Sequence, residues 1–354
     1  MRVALDCGPL LDSATGVGRY TRELARALEA RGTDVVGYAV AARGTNERGL
    51  RRWRVPARLA QASWRAFGRP GIERLTGPVD VVHATNFILP ALRSAPGVVT
   101  VHDLSFERDD SFPGGRRLRA LVPWSVRRAA LVITPSRSIA EEVAERYGAS
   151  EDSLVVTHEG VSSVFFGAAP LSGAALARLG ITGPFLAAVG TIEPRKNLQR
   201  LIDAWRTVRR ELGDYLLVIA GPRGWGRELR ASDGVVLTGW ISDETLPGLL
   251  AAAEGFCYPS LYEGFGLPPL EAMAAGTPAL VGAFPAASEV LGDAALLVDP
   301  LDGTALAEGL VALATDGSLR RRLTLSGRAR ATTYTWEATA KATEAAYRRA
   351  TELK

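Results

Sequence analysis

Short apolar runs alternate with amphipathic stretches along this chain, and the alternation runs through twice. Residues 2–6, 35–40, 79–83, 98–102 and 131–134 are short and β-branched, as buried strands are. Between them, residues 17–30 place Tyr20, Leu24, Ala27 and Leu28 on one helical stripe. Residues 136–147 read as a helix opened by the capping pattern Ser138-x-x-Glu141. A second series of strands follows at 185–189, 215–220, 235–238, 255–258, 279–281 and 295–298. Helical patterns lie at 198–212, 243–252, 306–314 and 317–331, and a long last helix covers 336–353. Strands apolar on both faces and separated by helices belong in parallel sheets covered on both sides. The expectation is an α/β protein of two doubly wound, Rossmann-like domains, 1–167 and 185–335. A Gly-, Ala- and Pro-rich linker at 168–184 joins them, and residues 336–354 form a terminal helix. Ligands of such sheets bind beyond the carboxyl ends of the strands, so an interdomain cleft is the expected site.

A length of 354 residues suits two domains of this kind. No apolar run is long enough to span a bilayer, and the N-terminus reads as a first strand without the features of a secretory signal. A cytoplasmic location follows as the expectation. Cys7 and Cys257 fall in different halves and read as small core residues. With only His83, His102 and His158 as histidines, a His-based metal cluster is not expected. Charge is uneven. Nine arginines and two glutamates lie between Arg43 and Arg74, with Trp53, Trp64 and Phe67 among them, and a second basic run surrounds Trp124. A solvated helical face, a patch for anionic membrane and a nucleic-acid surface all fit such runs. The absence of a reading motif argues against nucleic acid, and the tryptophans leave a peripheral position at the inner membrane face open.

Chemistry concentrates around Glu263-Gly-Phe-Gly-Leu-Pro-Pro-Leu-Glu271. This stretch joins a strand to a helix through a glycine turn, with Pro268 and Pro269 near the helix start, where proline is tolerated. A helix start offers free backbone N–H groups and partial positive charge to an anion. Two carboxylates beside an anion site suit hydroxyl groups attached to that anion. A phosphate with polyhydroxyl groups on both ends is a nucleotide sugar. Gly190, Thr191, Arg195 and Lys196 follow the strand at 185–189 and bring two cations to its carboxyl end, where a departing pyrophosphate needs its charge neutralised. Gly221 and the pair Trp240-Ile241 follow two further strands. In the first half, Asp12-Ser-Ala-Thr-Gly16-Val-Gly18 opens a helix, and His102-Asp103 ends a strand. On spacing alone, the glycine loop serves tight packing or a ligand, and His102 a structural or functional role. His83 ends the preceding strand and is a second candidate for lining the cleft.

The run Tyr258-Pro-Ser-Leu-Tyr-Glu263-Gly-Phe-Gly-Leu-Pro-Pro-Leu-Glu271-Ala-Met-Ala-Ala-Gly276-Thr-Pro278 resembles the signature of glycosyltransferase family 4 (group 1), whose members are retaining enzymes of GT-B fold. Val189-Gly-Thr-Ile-Glu-Pro-Arg-Lys196, Val101-His-Asp-Leu104 and Thr335-Trp-Glu337 resemble further segments of that family, so the likeness covers nearly the whole chain. It implies that Arg195 and Lys196 hold a donor diphosphate, Glu271 the ribose hydroxyls and Glu263 the donor sugar, with the amides of Phe265, Gly266 and Leu267 on sugar and phosphate oxygens. It places His102 against the transferred sugar with Asp103 beside it, Gly16 and Gly18 next to phosphate and acceptor, and the Trp240-Ile241 backbone at the base. It brings the last helix back to the first domain. The implied activity is metal-independent hexosyl transfer without a cofactor. The pattern is most like bacterial mannosyltransferases, and the acceptor is a glycan, a lipid-linked sugar or a small molecule, as in polysaccharide biosynthesis. His158 and Glu159 stand where relatives show a proline–asparagine turn, and receive no role. A sugar-nucleotide epimerase of the same fold and a silent nucleotide-sugar-binding protein are the alternatives.

Overall fold

The computed structural model describes residues 1–11, 16–44 and 49–353. Asp12 to Thr15 of the glycine loop and Arg48 of the basic run lie outside the described residues. The chain divides into one unit of residues 1–160 with 336–354, and a second of 161–335.

The first unit is built on β1 (Arg2–Asp6), β2 (Asp34–Val40), β3 (Arg51–Trp53), β4 (Val81–Ala84), β5 (Gly97–Thr100), β6 (Leu131–Thr134) and β7 (Leu154–Val156). They form one parallel sheet in the order β3-β2-β1-β4-β5-β6-β7. The order reverses between β1 and β4, which makes the sheet doubly wound. The second unit contains β8 (Phe185–Val189), β9 (Leu216–Ala220), β10 (Val235–Gly239), β11 (Gly255–Tyr258), β12 (Ala279–Gly282) and β13 (Leu296–Val298). Their order is β10-β9-β8-β11-β12-β13, again all parallel, with the reversal between β8 and β11. Strands β4, β5, β6, β11 and β12 are buried along their whole length, as their unbroken apolar runs require.

Five helices matter below: α1 (Gly16–Ala30), α2 (Ala57–Phe67), α3 (Leu198–Val208), α4 (Leu267–Ala275) and α5 (Trp336–Glu352). The terminal helix α5 is part of the first unit and packs on α1. It buries Tyr347 completely against the core of β1, β4 and β5, a contribution of about 2 kcal/mol. Glu344 of α5 accepts from Arg31 Nη2 at 3.1 Å and from Thr33 Oγ1 at 2.8 Å.

Three expectations are corrected. Residues 168–184, read as a linker, lie within the second unit: Leu171, Leu176 and Leu179 pack on its core, and Ser172 caps the short helix Gly173–Arg178. The helix expected at 136–147 spans Arg137–Tyr147 and is capped by Ser136, whose Oγ accepts from Ile139 N at 3.4 Å. Ser138 already sits inside that helix, so the Ser138-x-x-Glu141 pattern starts two positions too late. The basic run is no uniform helical face. Arg51 and Arg52 lie in edge strand β3 and donate to main-chain carbonyls of Thr76 and Ala41 (2.5 and 3.0 Å), whereas α2 carries Arg58 and Arg65. Cys7 and Cys257 are free and buried, as core residues are. Among the described residues no helix is long and apolar enough to cross a membrane.

Candidate functional site

In the second unit the switch point of the sheet lies between β8 and β11, and the chain leaving each strand carries charge. After β8, Gly190-Thr-Ile-Glu-Pro leads into a single turn of 3₁₀ helix that holds Arg195 and Lys196. After β11, Pro259-Ser-Leu-Tyr leads to Glu263 and then to α4. The two loops are tied together: Leu261 N donates to Arg195 O at 2.8 Å, and Asn197 Nδ2 donates to Pro259 O at 3.2 Å. Lys196 Nζ donates to Glu263 Oε1 and to the Tyr258 hydroxyl, each at 2.6 Å, and lies 4.8 Å from the centre of the Tyr258 ring. Arg195 Nη1 pairs with Glu263 Oε2, and Arg195 Nε lies 2.6 Å from Glu193 Oε1. One buried carboxylate thus bridges both cations, and Glu193 balances the arginine from the other side.

The electrostatics follow from burial and pairing. Burial by itself pushes the Glu263 carboxyl up, but Arg195 and Lys196 override it and hold it at about 2. Burial and the neighbouring Arg195 lower Lys196, against the pull of Glu263. Burial and the Glu263 charge drive the Tyr258 hydroxyl far above its ordinary range, so it remains a neutral partner to Lys196.

Two glycines make the junction of β8 and β9 possible. Gly221 has φ 151°, and a Cβ there would lie 2.0 Å from Gly190 O. Gly190 has φ 154° and donates its N–H to Ala220 O at 3.0 Å. The close backbone approach at Gly190 is made by the protein's own strand ends, packed carboxyl end against carboxyl end. Thr191 is half-buried next to Gly224.

The remaining donor-binding candidates in this unit cluster at α4 and β10. Gly266 occupies the N-cap of α4 with φ 102°, Leu267 opens the helix, and Phe265 is buried with its ring edge-on to Tyr334 at 5.4 Å. Glu271 lies one turn into α4 and is 3% exposed. Trp240, beyond β10, is 58% exposed, and Ile241 packs on the core.

The candidates of the first unit separate into different roles. Gly16 begins α1 and Gly18 is buried in its first turn. His102 lies two residues beyond β5, with Nε2 2.8 Å from Thr85 O and Nδ1 3.2 Å from Glu159 Oε1. The Tyr20 ring stands nearly perpendicular to the His102 ring, with ring centres 4.7 Å apart. Asp103 accepts from Ser105 N at 2.8 Å and so turns the chain into the next short helix. His83 does not line a site. It is fully buried in β4, with Nδ1 2.7 Å from the Tyr347 hydroxyl and Nε2 2.8 Å from Thr100 Oγ1, and burial lowers it to about 3. Glu159, which sequence reasoning left without a role, is the residue missed. Its one visible signal was that it replaces the neutral side chain of the resembled turn. Among the described residues no three His, Cys, Asp or Glu side chains form a group able to hold a metal ion.

Comparison with known proteins agrees with this architecture. Residues 178–330 match the family described as glycosyl transferases group 1, and residues 14–164 match glycosyltransferase family 4. O-antigen chain mannosyltransferase B of Escherichia coli is 33% identical over 73% of this chain and 71% of its own length. The MMP alpha-(1->4)-mannosyltransferase of Mycolicibacterium hassiacum is 32% identical over 77% of this chain and 71% of its own. Among solved structures, sucrose-phosphate synthase of Thermosynechococcus elongatus superposes with a TM-score of 0.78 over 98% of both chains at 22% identity, a likeness of fold.

Proposed function

Because the chain belongs to the group 1 glycosyltransferases of family 4, with their GT-B fold, we propose that it moves mannose from a nucleoside diphosphate sugar to an acceptor hydroxyl with retention at the anomeric carbon. The two mannosyltransferase relatives support mannose, and the O-antigen relative supports a glycan or lipid-linked acceptor. The observation that carries the reading is the Arg195–Glu263–Lys196 cluster at the switch point of the second sheet.

In this reading Arg195 and Lys196 take the diphosphate, which competes with Glu263 for them. Two cations stabilise the charge that builds on the leaving phosphate as the bond from the anomeric carbon to phosphate oxygen breaks. The acceptor oxygen bonds to the same face of that carbon, and its proton passes to the leaving phosphate. Glu263 orients the sugar and the cations and forms no covalent bond to the sugar. Glu271 takes the ribose hydroxyls. The amides of Phe265, Gly266 and Leu267, at the start of α4, suit phosphate and sugar oxygens. In the first unit the residue assigned to the sugar is His102. Charge neutralisation by Arg195 and Lys196 leaves no step that needs a metal ion. A peripheral membrane contact belongs to the same proposal: Leu59 and Phe67 of α2 are 60% and 75% exposed, on the helix that carries Arg58 and Arg65.

Thermal-shift measurements against GDP, UDP, dTDP and ADP test the donor assignment. Stabilisation by GDP above the others supports a GDP-sugar donor; no response to any nucleotide would count against the donor site as drawn.

A further inference from the structure

The imidazole of His102 is held at both ring nitrogens. Its Nε2 lies 2.8 Å from the main-chain oxygen of Thr85. A carbonyl can only accept, so Nε2 carries a hydrogen. Nδ1 lies 3.2 Å from Glu159 Oε1, and the two side chains are only 9% and 10% exposed. The rings of Tyr20 and Phe87 approach edge-on at 4.7 and 6.0 Å.

Glu159 is brought to this place by the main chain on either side. Thr157 N donates to Thr134 O at 2.9 Å, continuing the β6–β7 ladder past its end. The carbonyl of His158 accepts from Thr339 Oγ1 of α5 at 2.8 Å. The segment is pinned to the sheet and to the terminal helix, and its carboxylate is turned inward. A buried carboxylate is costly unless it is paired; it can only accept, so its bond to His102 needs a hydrogen on Nδ1 as well, and the two side chains form an imidazolium–carboxylate pair. Other polar groups nearby are engaged elsewhere. Both nitrogens of His83 are taken by Tyr347 and Thr100, the Tyr20 hydroxyl lies 3.3 Å from Thr100 Oγ1, and the Asp103 carboxylate accepts from Ser105 N.

We propose that Glu159 is the positioning residue for His102, its carboxylate accepting from Nδ1–H while Nε2–H donates to Thr85, so that the ring keeps both its hydrogens and one rotation toward the transferred sugar. The sugar in that statement rests on the glycosyltransferase reading; the state of the ring does not. Gln at 159 can still meet Nδ1 with its amide and keep the ring's rotation while Nε2–H stays on Thr85, but it has no charge to hold the Nδ1 proton. Leu can present nothing.

The test uses the full chain labelled with ¹⁵N-histidine, in which three histidines give signals. A His102→Gln variant assigns the ring. Wild type is expected to show both ring nitrogens protonated at neutral pH, and E159Q and E159L only Nε2, which Thr85 still holds. In sugar transfer, E159L should lose on the order of 10- to 100-fold in kcat/KM. E159Q should recover most of that, and nucleotide affinity should change less than about twofold in both variants. A wild-type ring without a proton on Nδ1, or E159L with wild-type kcat/KM, overturns the proposal. If E159L fails to fold, the wild-type and E159Q spectra still decide it. If the wild-type protein transfers no sugar, the functional reading fails while the spectra still decide whether Glu159 holds the ring.

Discussion

Replacing Glu263 with Gln should change how the stability of this protein responds to acid. The carboxylate is buried between Arg195 and Lys196, at 2.6 Å from the lysine nitrogen, and its ionisation is held at about 2 against an ordinary 4.5. At 1.36 kcal/mol per pH unit, that displacement stabilises the folded state by about 3 kcal/mol. The sign follows from the depressed value. The contribution is complete above pH 4.5, where the unfolded chain is ionised too, and it disappears as the pH falls toward 2. About 2 kcal/mol of it should be gone by pH 3. Gln does not titrate, so the stability difference between wild type and E263Q should shrink by that amount between pH 6 and pH 3. Urea unfolding at several pH values measures the difference, and groups that titrate in the same interval, such as His83, cancel between the two proteins. At pH 7 the variant leaves the buried Lys196 and the half-buried Arg195 without their shared partner. Adding Lys196→Met should therefore restore part of the loss, a coupling of about 1 kcal/mol or more. Parallel pH curves for wild type and E263Q would show that the carboxylate is not held by these cations, and would refute the reasoning.

Gly221→Ala should cost about 3 kcal/mol or more, because its Cβ would fall 2.0 Å from Gly190 O at a φ of 151°; a melting temperature within a degree or two of wild type would contradict the packing of these strand ends. Sugar transfer should persist in excess EDTA, since Arg195 and Lys196 carry the charge assigned to a metal in other enzymes; loss of turnover that returns on adding magnesium would count against that role. The double variant Leu59→Ser/Phe67→Ser should bind vesicles containing anionic lipid more weakly while its affinity for nucleotide stays the same, and equal vesicle binding would remove the membrane proposal.

Apolar periodicity alone determined the two series of strands and helices, because burial of a strand or a helical stripe is written within ten residues of chain. The same local legibility singled out Glu263, Arg195, Lys196 and His102, each at the carboxyl end of a strand, where an α/β sheet binds its ligands. Capping was readable only to within two positions, because Ser136 and Ser138 are chemically equal and the backbone geometry at the helix start decides between them. Partnership was not readable. Glu263 pairs with Lys196, 67 positions away, because β8 and β11 are neighbours across the point where strand order reverses. Glu159 meets His102, 57 positions away, because the loop after β7 is pinned to α5 and turned toward the end of β5. His83 and His102 both stand at strand ends in the sequence, yet α5 covers one with Tyr347 and leaves the other to Glu159. A carboxylate's partner is set by strand order and by which helix lies over which strand end. Those are properties of contacts distant in sequence, and only the tertiary structure decides them.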